Sequence, residues 1–203
     1  KIRHAVNMAA ISATEMNEMK AYLDLSYRLG LLLAQQVRGQ TIASAEVVYR
    51  GDATTKKTKL MTNAFATGLL EHAMSDSVNI VNAEFMARER GLQITSSSSS
   101  EPSDFATLIR ASVKTSEGET SAAGTVFGKE FLRLVKLGNF SLDAYLDGTM
   151  IVYKHRDVPG LIGYIGTVCG SHKVNIAHMA LGMRQLRHPA RDFLARRQRG
   201  GVL

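Results

Sequence analysis

The side chains best suited to hold a small polar ligand stand where a predicted strand meets a predicted helix. His155 and Asp157 lie at the end of the strand, and Asn175 follows Asp157 by 18 residues. A carboxylate can accept a ligand ammonium group, an amide offers both a donor and an acceptor, and a helix N-terminus attracts a carboxylate. These groups together indicate a site for a free amino acid. The alternative is that Asp157 only caps the helix and Asn175 only starts a strand.

Three lysines close together in the chain form a second candidate site. Lys56, Lys57 and Lys59 stand near the start of another predicted helix. Ammonium groups attract phosphate and carboxylate groups as point charges, so this cluster is a candidate for anion binding. The alternative is an ordinary solvated charged face.

The remaining reactive side chains indicate neither a metal centre nor a catalytic centre. The spacing of the single cysteine, Cys169, from the neighbouring histidines matches no zinc pattern. No G-x-G-x-x-G fingerprint is present, and no paired carboxylates or Ser/His arrangement stand out. We therefore expect no metal, no nucleotide site and no catalytic residue in this chain.

The positive charge is concentrated at one end. The 203 residues carry a net charge of +7, but residues 184–203 contribute +5 of it through six arginines and one aspartate, which leaves +2 on the rest. A nearly neutral body makes nucleic acid an unfavoured partner. No apolar run reaches the roughly 18 residues of a membrane span, and a lone cysteine fits a reducing compartment. We expect a cytoplasmic protein that does not bind membranes.

Hydrophobic periodicity predicts an α+β architecture with a mixed helix and antiparallel-sheet domain first. A capping box at Ser12 opens the first helix. The run Ser96–Ser100, with Glu101–Ser103 after it, is predicted to be a flexible linker or loop. The predicted helices cover about 14–37, 59–74 and 83–90. The predicted strands cover about 42–50, 109–114, 119–127 and 131–137, the last three as a meander. Asp147–Gly148 is the predicted domain boundary.

A β-α-β unit is predicted beyond that boundary. Strands are expected over 150–153 and 174–179, with a helix between them that Pro159 opens and Asp157 caps. Glycines at 160, 163, 166 and 170 recur at helical spacing, which predicts a face that lies close to a sheet.

The segments His155–Gly160 and Val174–Ile176, with the glycine-spaced helix between them, resemble an ACT domain, a small amino-acid-binding regulatory fold. Earlier segments extend the resemblance to the C-terminal half of long-form D-3-phosphoglycerate dehydrogenases, in which an allosteric-substrate-binding domain precedes an ACT domain. The resemblance covers about residues 2–183. The segments are Val6–Met8, Leu31–Gln35, Val81–Ala83, Ala87–Gly91 and Ala123–Gly128.

The resemblance implies a regulatory role. Family position makes His155, Asp157 and Asn175 the L-serine-binding residues, with the backbone of Gly160 and Leu161 completing the pocket. ACT domains usually pair, so the pocket would be shared between two chains, and the family points to a homotetramer built through these domains. The parent enzymes oxidise 3-phosphoglycerate with NAD in serine biosynthesis. Their catalytic and NAD-binding residues would lie before Lys1, so this part alone is expected to be inactive.

The resemblance also sets the predicted domain limits. Residues 1–13 would be a hinge, 14–147 the allosteric-substrate-binding-like domain, and 148–183 an incomplete, ferredoxin-like ACT domain. Residues 184–203 form an atypical arginine-rich tail where that fold should continue, and a reading-frame slip is one explanation, a divergent tail the other.

Three other functional classes stay open at this point. One is the regulatory piece of an iron–sulfur L-serine dehydratase, which cluster-binding cysteines on an adjoining chain would favour. A second is a free-standing amino-acid-binding ACT module. A third is an RNA-binding protein, since Gly160–Gly163 superficially fits the GXXG loop of a KH domain; Asp157 beside that loop argues against it.

Overall fold

The computed structural model describes residues 13–71, 77–184 and 200–202. Four α-helices and nine strands are present in these ranges. The helices are α1 (Ala13–Gln36), α2 (Thr58–Leu70), α3 (Ala83–Glu89) and α4 (Leu161–Ser171), and a 3₁₀ turn spans Asp52–Thr55. The strands are β1 (Ile42–Gly51), β2 (Gln93–Ser99), β3 (Thr107–Thr115), β4 (Gly118–Phe127), β5 (Phe131–Leu137), β6 (Phe140–Tyr145), β7 (Lys154–Arg156), β8 (Met183–Arg184) and β9 (Gly200–Val202).

Seven strands form one sheet in the order β2-β1-β3-β4-β5-β6-β8. Every neighbouring pair is antiparallel except β1 and β2, which are parallel and are joined through α2 and α3. A parallel pair needs such a crossover connection. The mixed α+β class and the antiparallel meander β3-β4-β5 are therefore confirmed, and β6 extends the meander by one strand that the sequence analysis left out.

The hydrophobic core lies between one face of this sheet and the pair α1 and α2. Strand β3 alternates buried and more exposed residues, and Ile109, Ala111 and Val113 face the core. Because successive strand residues point to opposite faces, Arg110 lies on the other face, where it is exposed. The largest fully buried side chains are Tyr49, Phe65, Leu25, Leu29, Leu33, Met61, Leu69, Ile109 and Leu134.

The predicted helices and strands of the first domain agree with the structure to within a few residues. The helix predicted over 14–37 is α1, and the strand predicted over 42–50 is β1. The helix predicted over 59–74 is α2, which begins at Thr58. The end predicted for it at residue 74 lies outside the described residues.

The predicted linker or loop over residues 96–103 is wrong for residues 96–99, while residues 100–103 form neither helix nor strand. Residues Gln93–Ser99 form β2, with Ser97 opposite Val48 and Ser98 opposite Tyr49 of β1. Serine composition indicates a linker only when no backbone partner is available. Here β1 supplies a full row of partners, and the exposed serine side chains suit an edge strand because their hydroxyls remain in water.

The predicted β-α-β unit forms only in part. The first strand is β7 at Lys154–Arg156 rather than at 150–153, and residues 174–179 have no strand. In a split β-α-β unit, a third strand lies between the two strands that the helix connects. The described residues contain no strand in that position. β7 pairs instead with β9, His155 opposite Gly201. Among the described residues, none lies within 4 Å of a Cβ placed on Gly163, Gly166 or Gly170, so no described element packs against the glycine face of α4.

The predicted domain limits stay predictions. β8 lies beyond the Asp147–Gly148 turn yet pairs with β6, Met183 opposite Ser141, so the chain returns to the first sheet. Residues 1–12, which contain most of the predicted hinge, and 185–199 of the arginine-rich tail lie outside the described residues.

Candidate functional site

His155 occupies the middle of β7 with one ring nitrogen bonded and the other unused. Its Nδ1 lies 2.8 Å from the carbonyl oxygen of Arg156. Its Nε2 is buried and has no hydrogen-bond partner among the described residues. The ring stacks on Tyr153, with centroids 5.6 Å apart and 16° between the planes. A buried unpaired ring nitrogen costs free energy, so Nε2 is an atom that a polar ligand can satisfy.

No side chain of the described residues caps the start of α4. Gly160 has φ +86 in the left-handed region, and the helix begins at Leu161. The first helical bond runs from the Tyr164 N–H to the Gly160 carbonyl at 3.0 Å. Pro159 therefore precedes the helix rather than lying in its first turn, and Asp157 does not cap it, contrary to prediction. The N–H groups of the first turn are orphan donors.

Asp157 and Asn175 are both exposed, at different ends of α4. Asp157 makes no ion pair with any described residue. α4 ends in a turn in which Lys173 has φ 58 and the Val174 N–H donates to the Cys169 carbonyl at 2.8 Å. Asn175 follows this turn. An 11-residue helix is about 16 Å long, and it separates Asn175 along the chain from the β7–α4 corner.

The three lysines of the second candidate site each pair with a glutamate. Lys56 Nζ lies 3.8 Å from Glu18 and Lys57 Nζ 3.5 Å from Glu15. Lys59 forms an ion pair with Glu84. The partners stand on α1 and α3, so these lysines connect helices across the surface. Anion binding by this cluster stays a prediction.

Arg133 of β5 contacts two residues of the neighbouring strand β6. Its Nε donates to Asp143 of β6 at 2.7 Å, and its guanidinium lies 3.9 Å from the centroid of the Tyr145 ring. The hydrogen bond from Arg133 holds the pKa of the Asp143 carboxyl below its usual value, and that same bond raises the pKa of Arg133.

A phenol–carboxylate contact joins Tyr27 to Glu71. The hydrogen bond to Glu71 raises the pKa of Tyr27 to about 12.

Sequence reasoning missed a polar cavity on the open face of the sheet, to which Arg110 and Lys136 contribute. Both side chains are exposed on the face of the sheet opposite the core. Cross-strand register brings them together, and register is not visible in the separate strands.

Two further searches were restricted to the described residues. Residues 13–71, 77–184 and 200–202 contain no cluster of three or more His, Cys, Asp or Glu side chains that could hold a metal ion. In the same ranges, no helix is both long and apolar enough to cross a membrane.

These elements define an α+β domain with a mostly antiparallel sheet that helices cover on one face. Residues 18–138 match the D-3-phosphoglycerate dehydrogenase intervening domain, and the chain belongs to this family. It is 32% identical to the D-3-phosphoglycerate dehydrogenase of Archaeoglobus fulgidus over 89% of this chain and 34% of that protein. The Synechocystis enzyme is 32% identical over 93% of this chain and 34% of its own length. The Bacillus subtilis enzyme is 27% identical over 91% and 35%. The chain thus spans about a third of these relatives.

Proposed function

We propose that this chain is the regulatory region of a D-3-phosphoglycerate dehydrogenase and that it binds L-serine at the β7–α4 corner. The family membership supports the first part. The observation that carries the second is the buried, unpartnered Nε2 of His155 beside an uncapped helix N-terminus. The family also favours this function over the iron–sulfur dehydratase alternative.

Each polar group of L-serine has a counterpart at this corner. The ligand carboxylate accepts from the N–H groups at the start of α4, beginning with Leu161, and Gly160 leaves room for this approach because it has no side chain. Asp157 receives the ammonium group, and His155 Nε2 bonds the hydroxyl. A ligand of about seven heavy atoms gains at most roughly 10 kcal/mol, so micromolar to millimolar affinity is expected.

Asn175 contributes from a second copy of the chain. Asn175 lies beyond the far end of α4. A small ligand at the β7–α4 corner of one chain can therefore contact Asn175 most simply from a paired chain. The surface of α4 fits such pairing, since none of its residues is buried and Ile162, Tyr164 and Val168 are exposed. Large exposed apolar patches mark association sites. We infer a homo-oligomer through this region, with the family pointing to a tetramer.

Hydride transfer with NAD belongs, in this proposal, to the rest of the enzyme. The chain matches about a third of each relative, and it contributes serine sensing rather than catalysis. We also propose that the enzyme is cytoplasmic. A relative from Arabidopsis thaliana that is 31% identical is named as chloroplastic.

Isothermal titration of the chain with L-serine tests this function. We expect saturable binding of L-serine, much weaker binding of D-serine, and at least a tenfold loss of affinity for Asp157→Asn. Asp147→Asn is the matched control because Asp147 is also an exposed aspartate but lies outside the corner. Absence of L-serine binding by a chain shown to be folded, or equal loss in both variants, would overturn the proposal.

A further inference from the structure

Strand β2 forms one edge of the seven-stranded sheet, and its outer side has no strand partner among the described residues. Its seven residues pair with Ser44–Arg50 of β1 in one continuous register without a bulge. A strand of this length extends about 23 Å. The backbone N–H and C=O groups that point away from β1 therefore form a row of donors and acceptors that a further strand can meet.

The edge at β2 lacks the features that usually prevent a sheet edge from pairing with another chain. Native edge strands are protected by a short length, charged side chains, proline or a bulge. β2 contains no charged residue and no proline, since Glu101 and Pro102 come only after its end. The edge at β8 differs, because β8 has only two residues and one of them is Arg184. Of these two edges, the one at β2 is therefore open to a further strand.

The middle residues of β2 leave room for a neighbouring strand. Ser96, Ser97 and Ser98 are small, neutral and exposed. Within the described part of the chain, the side-chain hydrogen bonds of β2 involve only Thr95 and Ser99. Hydroxyl side chains on facing strands form cross-strand hydrogen bonds, so the three middle hydroxyls can pair with those of a second strand of the same kind.

The charges at the two ends of β2 favour an antiparallel copy of the same strand. Arg88, Glu89 and Arg90 come just before β2, and Glu101 and Asp104 follow its end, so its start is net positive and its end net negative. All five side chains are exposed. Arg90 and Asp104 make no ion pair with any described residue. Antiparallel pairing of two copies brings opposite charges together at both ends, whereas parallel pairing brings like charges together.

We propose that β2 is an interface at which two copies of this chain pair antiparallel across a two-fold axis and join their sheets. The same surface serves both partners, as in other two-fold interfaces. Because Ser96 is the middle residue of β2, an axis there brings the two copies of Ser97 within two residues of each other across the ladder. This interface does not depend on serine binding, because β2 contains no residue of the β7–α4 corner or of α4.

Light scattering of the purified chain over a concentration series tests this interface. We expect the mass of the unaltered chain to rise with concentration. Ser97→Lys should lower the mass at least twofold where the unaltered chain is fully assembled, because like charges on facing strands repel. This twofold loss is expected whether or not α4 also pairs chains. Ser116→Lys is the matched control, because Ser116 is an exposed serine in the turn between β3 and β4 and its substitution adds the same charge. It should leave the mass unchanged.

A mixture of Ser97→Lys and Ser97→Glu separates repulsion at β2 from a folding defect. Each variant alone should be dissociated at β2, and the mixture should regain the mass of the unaltered chain because opposite charges then face each other. Circular dichroism checks that each variant is folded.

Three results would overturn the proposal. The first is a folded, unaltered chain that stays single at every concentration, which would leave β2 to a different protein. The second is a mass that Ser97→Lys leaves unchanged or that Ser116→Lys lowers equally. The third is a mixture of the lysine and glutamate variants that is no heavier than either variant alone.

Discussion

Gly30 of α1 lies against the main chain of Phe65 in α2, so closely that a Cβ on residue 30 would stand 2.2 Å from the Phe65 carbonyl oxygen. The relationship is reciprocal, since a Cβ on Gly68 of α2 would stand 2.0 Å from the carbonyl oxygen of Tyr27. The two helices therefore cross backbone to backbone. This close crossing fixes the helical layer that covers the core face of the sheet.

Gly30→Ala should destabilise the fold. The added methyl group cannot fit without a shift of α2, and such overpacking typically costs about 1–3 kcal/mol in the free energy of unfolding. Gly163→Ala is the matched control, because it is a helical glycine whose added Cβ would meet no described residue within 4 Å. Alanine also favours helix over glycine by up to about 1 kcal/mol. Urea denaturation of both variants measures the difference. A Gly30→Ala protein as stable as the Gly163→Ala protein would contradict the described crossing.

Tyr49 should make stability fall in alkali. Its side chain is fully buried, its hydroxyl lies 2.8 Å from the Thr62 hydroxyl, and burial raises its pKa from 10.0 to about 12. The folded state thus disfavours the phenolate. The stabilisation is complete below pH 10 and is lost as the pH rises from 10 to about 12. Denaturation from pH 8 to 12 should show a shallower decline for Tyr49→Phe, which is also about 1 kcal/mol less stable at pH 8 for want of the hydrogen bond. Parallel declines would refute the assignment.

The ion pair of Arg133 and Asp143 should make the free energy of unfolding fall as the pH becomes acidic. Since the folded protein lowers the pKa of Asp143, its stabilisation is present above about pH 4 and is lost as the pH falls through the lowered value. Asp143 is exposed, so Asp143→Asn should cost only about 0.2–1 kcal/mol at pH 7. In acid denaturation curves the variant and the parent chain should converge at low pH. A gap that persists undiminished there would mean that Asp143 acts by another route.

Local pattern sufficed for most of the first domain. The apolar spacing of α1 and the alternation of β3 each report a buried face directly, and both were predicted at nearly the right residues. β2 could not be found this way, because its serines are exposed and its strand conformation comes from hydrogen bonds to β1. Strand pairing between distant segments leaves no local sign in such a stretch.

The candidate site, like the fold, could be predicted from the sequence only in part. His155 and Asp157 were predicted to bind the ligand from residue type, position and family resemblance. The structure adds that Nε2 of His155 is unpaired and that α4 begins at Leu161 without a cap. The strand predicted for 174–179 is coil, because a strand requires a neighbour as well as an apolar sequence. The cavity to which Arg110 and Lys136 contribute depends on the register of β3, β4 and β5, which no single segment encodes.

Nuclear magnetic resonance of the histidine rings during titration with L-serine tests the central claim most directly. We predict a saturable shift of the His155 Nε2 resonance, because this nitrogen gains its first hydrogen-bond partner. A His155 resonance that stays unmoved at serine concentrations that saturate the chain would contradict the account. A folded chain that binds no serine would contradict it as well.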